Sequence, residues 1–128
     1  MNKLIIDAAS EKIFLMIISN ASIYNITHEN TKINYEKLTI IINDFLNSNN
    51  LKITDISKIY VNKGPGSFAG IRNSLSVVKA FNIAIKIDYY CYSLDDFKGE
   101  KDISYENIPY LCDKFEIKKN LINSIYIS

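Results

Sequence analysis

The chain has 128 residues, 48% of them hydrophobic, and a formal net charge of +1, which fits one domain with one ordinary core. Charged residues are scattered, and no basic stripe typical of autonomous nucleic-acid binding is visible. No run of eighteen apolar residues occurs, so we expect no membrane span, and the apolar stretch at residues 4–6 is too short for a signal peptide. Cys91 and Cys112 lack metal-ligand spacing, and we interpret them as free thiols in a reducing compartment.

Three short strands are predicted at the start of the chain. Residues 3–8 and 13–18 are almost wholly apolar, and residues 22–27 follow after a turn at Ser19 and Asn20. Short strands with tight connections indicate an antiparallel meander, and wholly apolar strands indicate a sheet that is covered on both faces.

A helical period replaces the extended pattern after Asn34, which is the predicted N-cap. The helix should end in residues 47–50, where asparagines favour turns. Its apolar stripe consists of Tyr35, Leu38, Ile41, Ile42, Phe45 and Leu46. A fourth strand is predicted at residues 59–61.

A second helix is predicted from Phe68 or Ala69 to Ile85, and a fifth strand follows at residues 89–92. The order β-β-β-α-β-α-β indicates an α/β domain with a mixed five-stranded sheet and helical cover. After Ser93 the pattern weakens. The remaining predictions are a loop at residues 95–102, an extended stretch at residues 105–110, and a short helix or docked tail at residues 115–122.

A glycine-rich loop before the second helix is the strongest local motif. It holds three of the four glycines and leads to Arg72, the single arginine beside fourteen lysines. Its residues are Gly64, Pro65, Gly66, Ser67, Phe68, Ala69 and Gly70. Glycine permits a sharp turn and close approach by another surface, and a capped helix N-terminus attracts anions. The motif fits a phosphate- or partner-binding loop and equally fits a structural strand-to-helix turn, and it matches neither a Walker loop nor Gly-x-Gly-x-x-Gly.

Asp7, at the end of the first strand, is the other candidate residue. A carboxylate there could hold Mg²⁺ through water, but no second acid at a strand end joins it, so we favour a turn residue. His28 is the only histidine, which excludes a His-rich metal site. Small residues along the second helix suit contact with another protein, and they equally suit packing on the chain's own sheet; they are Ser74, Ser76, Ala80 and Ala84.

Two segments resemble the TsaB (YeaZ) family. Residues 4–10, Leu-Ile-Ile-Asp-Ala-Ala-Ser, resemble its opening strand and turn. Residues 63–72, Lys-Gly-Pro-Gly-Ser-Phe-Ala-Gly-Ile-Arg, resemble its Gly-Pro-Gly-Ser-Phe-Thr-Gly-Leu-Arg signature, with Ala69 in place of the usual Thr. Asn73 and Ser74 also replace a start of the helix that is richer in Gly and Ala. The resemblance covers residues 1–98.

The resemblance implies an RNase H-like, actin-like (ASKHA) fold in a cytoplasmic protein. It implies a non-catalytic subunit that pairs with the transferase TsaD and assembles with the ATPase TsaE to make N6-threonylcarbamoyladenosine in tRNA. It implies no cofactor for this chain itself, an adenine nucleotide only at the partner interface, and tRNA contact only through the complex. A homodimer through the same surface is a further expectation, and no contact with a membrane is expected.

Carried onto this chain, the resemblance assigns the partner surface to the two helices. The interface residues would be Tyr35, Leu38, Ser74, Ser76, Lys79 and Ala80. The glycine-rich loop with Gly64, Pro65, Gly66, Ser67, Phe68, Gly70 and Arg72 would lie at that interface. Asp7 and Ser10 would be remnants of an ancestral nucleotide site.

The family normally carries a second α/β domain, and 128 residues leave little room for one. Residues 108–111, Ile-Pro-Tyr-Leu, resemble a Pro-x-Tyr-Leu-Arg segment near the family's C-terminus. We therefore expect a TsaB-like domain at residues 1–98 and a remnant C-terminal segment, residues 99–128, docked on it. The alternative function is a nucleotide-binding ATPase or phosphotransferase that depends on Asp7. A peptidase would need a metal site or an activated nucleophile, which the sequence does not offer.

Overall fold

A mixed five-stranded sheet forms the centre of the molecule in the computed structural model, which describes residues 1–122. The strands are β1 (Asn2–Asp7), β2 (Lys12–Ile18), β3 (Ile23–Glu29), β4 (Ile56–Asn62) and β5 (Asp88–Tyr92). They lie in the order β3-β2-β1-β4-β5, with β1 to β3 antiparallel neighbours and β4 and β5 parallel to β1. The predicted mixed five-stranded sheet is confirmed.

The predicted first helix is two helices, α1 (Lys32–Glu36) and α2 (Leu38–Ser48). Thr31 rather than Asn34 is the N-cap, because its hydroxyl accepts a hydrogen bond from the Asn34 amide. The break falls at Lys37, whose backbone N–H bonds to the Asn34 carbonyl and so tightens the last turn of α1. The apolar stripe continues across the break, so the helical period in the sequence did not indicate that the helix is interrupted.

The second predicted helix is α3 (Phe68–Ile85), the longest in the chain. Ser67 caps its N-terminus as predicted, since its hydroxyl accepts a hydrogen bond from the Gly70 amide at 3.3 Å. Its C-terminus is closed by Lys86 in the left-handed conformation. In the described chain no helix is long and apolar enough to cross a bilayer.

Both faces of the sheet are covered, as the wholly apolar strands predicted. We call α1, α2 and α3 together the helical layer, and it buries one face through residues such as Leu4, Leu15 and Ile59. Alternate residues of the same strands, among them Ile5 and Tyr60, point into a second cluster on the opposite face. That second cluster is closed by residues that follow β5, which are Phe97, Ile108, Leu111 and Cys112.

The segment after β5 differs from its prediction. Residues 105–110 are not extended: Tyr105–Asn107 forms one turn of 3₁₀-helix, and α4 (Ile108–Lys114) follows directly. Pro109 lies in the first turn of α4, where its missing N–H leaves no helical hydrogen bond unmade. The apolar side chains of α4 are buried against the sheet. This burial favours a helix, although Pro109 alone suggested an extended segment.

Residues 115–122 form no helix. Lys119 makes an isolated antiparallel bridge to Tyr90 of β5, and the Asn120 amide donates to the Tyr89 carbonyl oxygen at 2.7 Å. The side-chain oxygen of Asn120 also accepts from the Tyr89 amide at 2.9 Å. The predicted segment at residues 99–128 extends beyond the described residues, and a domain boundary at residue 98 stays a prediction.

Candidate partner-binding site

The glycine-rich loop packs against the end of β1. The Ser67 amide donates to the Ala9 carbonyl oxygen at 2.8 Å. A Cβ atom at Gly66 would lie 2.1 Å from that same oxygen, and one at Gly70 would lie 2.3 Å from the Ala8 carbonyl oxygen. These two glycines are therefore needed for close approach to the chain's own backbone, which supports the structural interpretation of the loop.

Substituting Gly70 with Ala is expected to destabilise the protein, although Ala is the better helix former. The new Cβ forces α3 away from β1, and we expect the free energy of unfolding to fall by about 3 kcal/mol. Urea denaturation followed by circular dichroism measures it. Ser76→Ala, at an exposed position of the same helix, is the control and should change stability by less than about 0.5 kcal/mol. Equal stability of the two variants would contradict the close packing.

Asp7 lies almost fully buried where β1 ends, and its carboxylate accepts three hydrogen bonds. Oδ1 accepts from the Ala9 amide at 2.9 Å. Oδ2 accepts from Asn62 Nδ2 at 3.2 Å and from the Tyr105 hydroxyl at 2.8 Å. Ser10 does not join this group, because its side chain is exposed and its hydroxyl donates to the Lys12 carbonyl oxygen.

Tyr105 comes from the segment before α4 and closes over Asp7. Its ring stacks on Phe14 with the ring centroids 4.0 Å apart, which holds the hydroxyl in place. Burial, with the nearby Asp7 carboxylate, raises the pKa of the Tyr105 hydroxyl well above its ordinary value, so the hydroxyl remains a donor. Both carboxylate oxygens of Asp7 are thus engaged by donors of the same chain.

Sequence reasoning identified Asp7 but missed Asn62 and Tyr105. Asn62 is the last residue of β4 and its Oδ1 accepts from the Gly64 amide, so its position just before the loop was an available signal. Tyr105 is 98 residues from Asp7 along the chain, and nothing local indicates their contact. The strand beside β1 thus ends in the amide of Asn62, which joins Asp7 through a hydrogen bond.

Within residues 1–122, the remaining histidine, cysteine and acidic side chains are not grouped for metal binding, because no three or more of them lie together where they could hold an ion. Cys91 and Cys112 are free and buried. Burial raises the pKa of each thiol to about 12, so neither forms the thiolate that a nucleophile requires.

The outer surface of the helical layer exposes large apolar side chains beside small ones. Four apolar side chains are more than half exposed: Ile33 (67%), Ile40 (58%), Phe68 (58%) and Ile83 (66%). Ser76, Lys79 and Ala80 are also exposed on α3, as the predicted interface requires. Exposed apolar groups with small neighbours permit another helix to approach closely, which is typical of a protein-binding surface.

Two of the predicted interface residues are corrected by the structure. Leu38 is 1% exposed and Ser74 is 0% exposed, so neither can contact a partner. Leu38 begins α2 and enters the core, and the Ser74 hydroxyl donates to the Ile71 carbonyl oxygen within α3. Tyr35 is only half-buried and packs against the same core. The helical stripe in the sequence could not separate inward from outward small residues.

Arg72 is exposed in the first turns of α3, close to Phe68 and the glycine-rich loop. Among the residues that the structure describes, its guanidinium forms no ion pair. A guanidinium has five donors in a fixed planar arrangement that matches a carboxylate or phosphate. Arg72 is thus available to a binding partner, whereas Asp7 is occupied from within.

Comparison with known proteins gives one family model and several relatives. The model described as "TsaD: tRNA N6-adenosine threonylcarbamoyltransferase" matches residues 28–93, just over half of the chain. The tRNA threonylcarbamoyladenosine biosynthesis protein TsaB of Buchnera aphidicola subsp. Baizongia pistaciae is 28% identical to the chain. That alignment covers 51% of this chain and 34% of the Buchnera protein.

Solved structures agree on the fold. YeaZ from Pseudomonas aeruginosa superposes with a TM-score of 0.66 at 18% identity, covering 72% of this chain and 43% of YeaZ. RuvC of Thermus thermophilus, solved with a Holliday junction substrate, has a TM-score of 0.52 at 10% identity, covering 97% of this chain and 85% of RuvC. These likenesses confirm the RNase H-like fold that the sequence resemblance implied.

The chain aligns with less than half the length of the TsaB and YeaZ proteins that it matches. The family model still covers both sides of the glycine-rich loop, including the whole of α1, α2 and α3. Sequence, family model and fold therefore agree that this chain belongs to the threonylcarbamoyltransferase family and within it is a protein of the TsaB (YeaZ) type.

Proposed function

We propose that this chain is a non-catalytic partner subunit in the synthesis of N6-threonylcarbamoyladenosine in tRNA, and that it binds TsaD through the outer surface of the helical layer. The proposal rests on a contrast between the exposed surface of the helical layer and the internally hydrogen-bonded Asp7. The helical layer is open and partly apolar, while the buried carboxylate of Asp7 at the end of β1 accepts three hydrogen bonds from its own chain.

The outer surface supports binding through its composition. Ile40 and Ile83 offer apolar area that a partner can remove from water, and removing apolar surface from water is the main favourable contribution to most protein–protein association. Ser76 and Ala80 leave room for a partner helix to approach. Arg72 adds one charged donor at the edge of the surface, where an acidic group of the partner would fix orientation.

The internal hydrogen bonds of Asp7 argue against the alternative of an independent ATPase or phosphotransferase. Phosphoryl transfer depends on carboxylates that are free to hold Mg²⁺ and position a nucleophile. Asp7 has given both oxygens to Ala9, Asn62 and Tyr105, and the neighbouring strand ends in the amide of Asn62. We therefore propose that the chain needs no cofactor of its own and that adenine nucleotide binds at the interface with TsaD.

The remaining partners follow from this assignment. We propose that TsaE joins the assembly in the cytoplasm and that tRNA is contacted only through the complex. Self-association through the helical layer would compete with TsaD for the same exposed Ile40 and Ile83 side chains. We therefore propose that the two contacts exclude each other and that the complex with TsaD uses this surface.

Mixing the purified chain with TsaD from the same organism tests the proposal. Size-exclusion chromatography with light scattering should give one species whose mass is the sum of the two proteins at micromolar concentration. Separate elution at the two individual masses would count against the proposal. The chain alone should release no phosphate from ATP above the rate of an Asp7→Ala control that circular dichroism shows to be folded at the assay temperature, and phosphate release that depends on Asp7 in that folded control would favour the ATPase.

A further inference from the structure

A cleft of about 390 Å³ opens beside β5, where residues 116–122 pass along the edge of the sheet. Its apolar lining combines the buried Cys91 of β5 with Ile117, Leu121 and Ile122. A cleft of this volume, with apolar walls and a few polar groups, is typical of a site for a small molecule. The charged side chains in the lining indicate which kind of molecule fits.

The cleft contains two cations and two acids. Lys63 directly follows β4 and Asp96 follows β5, and the side chain of each is 30% exposed. The Lys63 Nζ and Asp96 Oδ2 atoms lie 4.0 Å apart, which is too far for a good hydrogen bond. Glu116 and Lys118 add one further charge of each sign to the lining. The lining is therefore neutral in sum, and it presents a cation beside an acid in a half-buried position.

Both members of the half-buried pair keep hydrogen-bonding capacity for a ligand. Oδ2 of Asp96 accepts from the Ser93 amide at 2.8 Å, whereas no hydrogen bond from residues 1–122 reaches Oδ1. The Lys63 ammonium has three donors, and its contact within the described chain is the loose one to Asp96. A ligand can therefore accept from Lys63 and donate to Asp96 without displacing the Ser93 amide.

We infer that this cleft binds a zwitterionic α-amino acid with an aliphatic side chain. The ligand carboxylate accepts from the Lys63 ammonium, and the ligand ammonium donates to Oδ1 of Asp96. One carbon carries both ligand charges, so they lie close enough together to face two side-chain charges that are 4.0 Å apart. The aliphatic side chain of the ligand covers Leu121, which is 60% exposed, and removes its apolar surface from water.

The charges of the cleft select a zwitterion over simpler ligands. A simple anion would meet Asp96 and Glu116, and like charges repel more strongly in a partly buried site than in water. A simple cation would meet Lys63 and Lys118 in the same way. An uncharged apolar ligand would take water from these groups without replacing its hydrogen bonds. The inference does not rest on the proposed function, since the cleft shares no residue with the hydrogen-bonded group around Asp7 or with the exposed surface of the helical layer.

Titration of the full, isotope-labelled chain with L-leucine, followed by heteronuclear NMR, tests the inference. We expect a Kd of roughly 0.1–1 mM, which a ligand of about nine non-hydrogen atoms can reach, with the largest shifts at Cys91 and Ile117. Isocaproate and isoamylamine are the matched ligands, because they lack the ammonium and the carboxylate of leucine, respectively. Each should bind at least about tenfold more weakly than L-leucine. No shifts with L-leucine at about 10 mM, or equal binding of either analogue, would overturn the inference.

Lys63→Met tests the residue that binds the ligand carboxylate, because it removes the charge and keeps a side chain of similar length. The variant should bind L-leucine at least about tenfold more weakly and should no longer prefer it over isoamylamine. Lys98→Met, at an exposed position outside the cleft, is the matched control and should bind as the unmodified chain does. Circular dichroism verifies that both variants are folded. Unchanged affinity of Lys63→Met, or equal weakening by both variants, would contradict the assignment.

Discussion

Asp7→Ala is expected to lower the free energy of unfolding by about 4 kcal/mol, one of the largest effects that a single substitution in this chain can have. The substitution removes the acceptor for the Ala9 amide, Asn62 and Tyr105 together. Hydrogen bonds to a charged acceptor contribute about 1.5–3 kcal/mol each, and the three donors left without this acceptor are buried or partly buried. The loss should loosen the contact between the Tyr105 segment and the sheet.

Urea denaturation monitored by far-ultraviolet circular dichroism measures this loss. Tyr105→Phe removes a single hydrogen bond to Asp7 and should cost about 2 kcal/mol. Tyr110→Phe is the matched control, because Tyr110 is exposed and should tolerate the change within about 0.5 kcal/mol. A fully stable Asp7→Ala protein would show that the carboxylate is not structural and would reopen a chemical role for it.

Ala80→Arg is expected to weaken binding to TsaD about 100-fold without affecting the fold. Ala80 is exposed on α3, and Arg is a good helix former, so the helix itself should tolerate the change. The long charged side chain would hold a partner helix away from the exposed Ile83 and Ser76. A loss of about 2.7 kcal/mol, which a central interface residue can account for, corresponds to a 100-fold weaker complex.

Isothermal titration calorimetry with TsaD measures the change in affinity. Ala21→Arg is the matched control, since Ala21 is an exposed alanine in the turn between β2 and β3, away from the helical layer. It should bind TsaD as the unmodified chain does. Unchanged affinity of Ala80→Arg, or equal weakening by both variants, would mean that TsaD uses another surface or none.

The sheet was largely predictable because its strands are apolar runs that end in turns. The mixed sheet, α3 and its Ser67 cap follow from local pattern and capping chemistry. The break at Lys37 was not predictable, since the apolar stripe runs through it and the backbone hydrogen bond that tightens the turn leaves no trace in the sequence. Residues 105–110 were also missed, because burial of Ile108 and Leu111 outweighs the local preference that Pro109 suggested.

Some features of the candidate site could be predicted from the sequence, whereas others depend on how distant parts of the chain pack together. The resemblance assigned Ser76, Lys79 and Ala80 to the partner surface, and the structure exposes all three on α3. Leu38 and Ser74 could not be excluded, because whether a residue near the edge of a stripe is buried depends on how the helices pack. The contact between Asp7 and Tyr105 joins the two ends of the chain, and no local pattern carries that information.

The glycine-rich loop shows how a motif can be recognised correctly and still serve a different physical purpose. Gly66 and Gly70 are required where the loop meets the carbonyl oxygens of Ala9 and Ala8, which is an internal contact. The contact fixes the start of α3 and therefore the direction in which Arg72 and Phe68 face solvent. The loop thus serves the proposed partner surface indirectly, by positioning the helix that carries it.

Reconstituted tRNA modification tests the central claim most directly. TsaD with TsaE, ATP, threonylcarbamoyl-adenylate and tRNA should form N6-threonylcarbamoyladenosine efficiently only when this chain is added, as read by mass spectrometry of digested tRNA. Ala80→Arg should fail to support the reaction, and Ala21→Arg should support it fully. Equal product without the chain, or product from the chain in the absence of TsaD, would contradict a supporting subunit that acts through its helices.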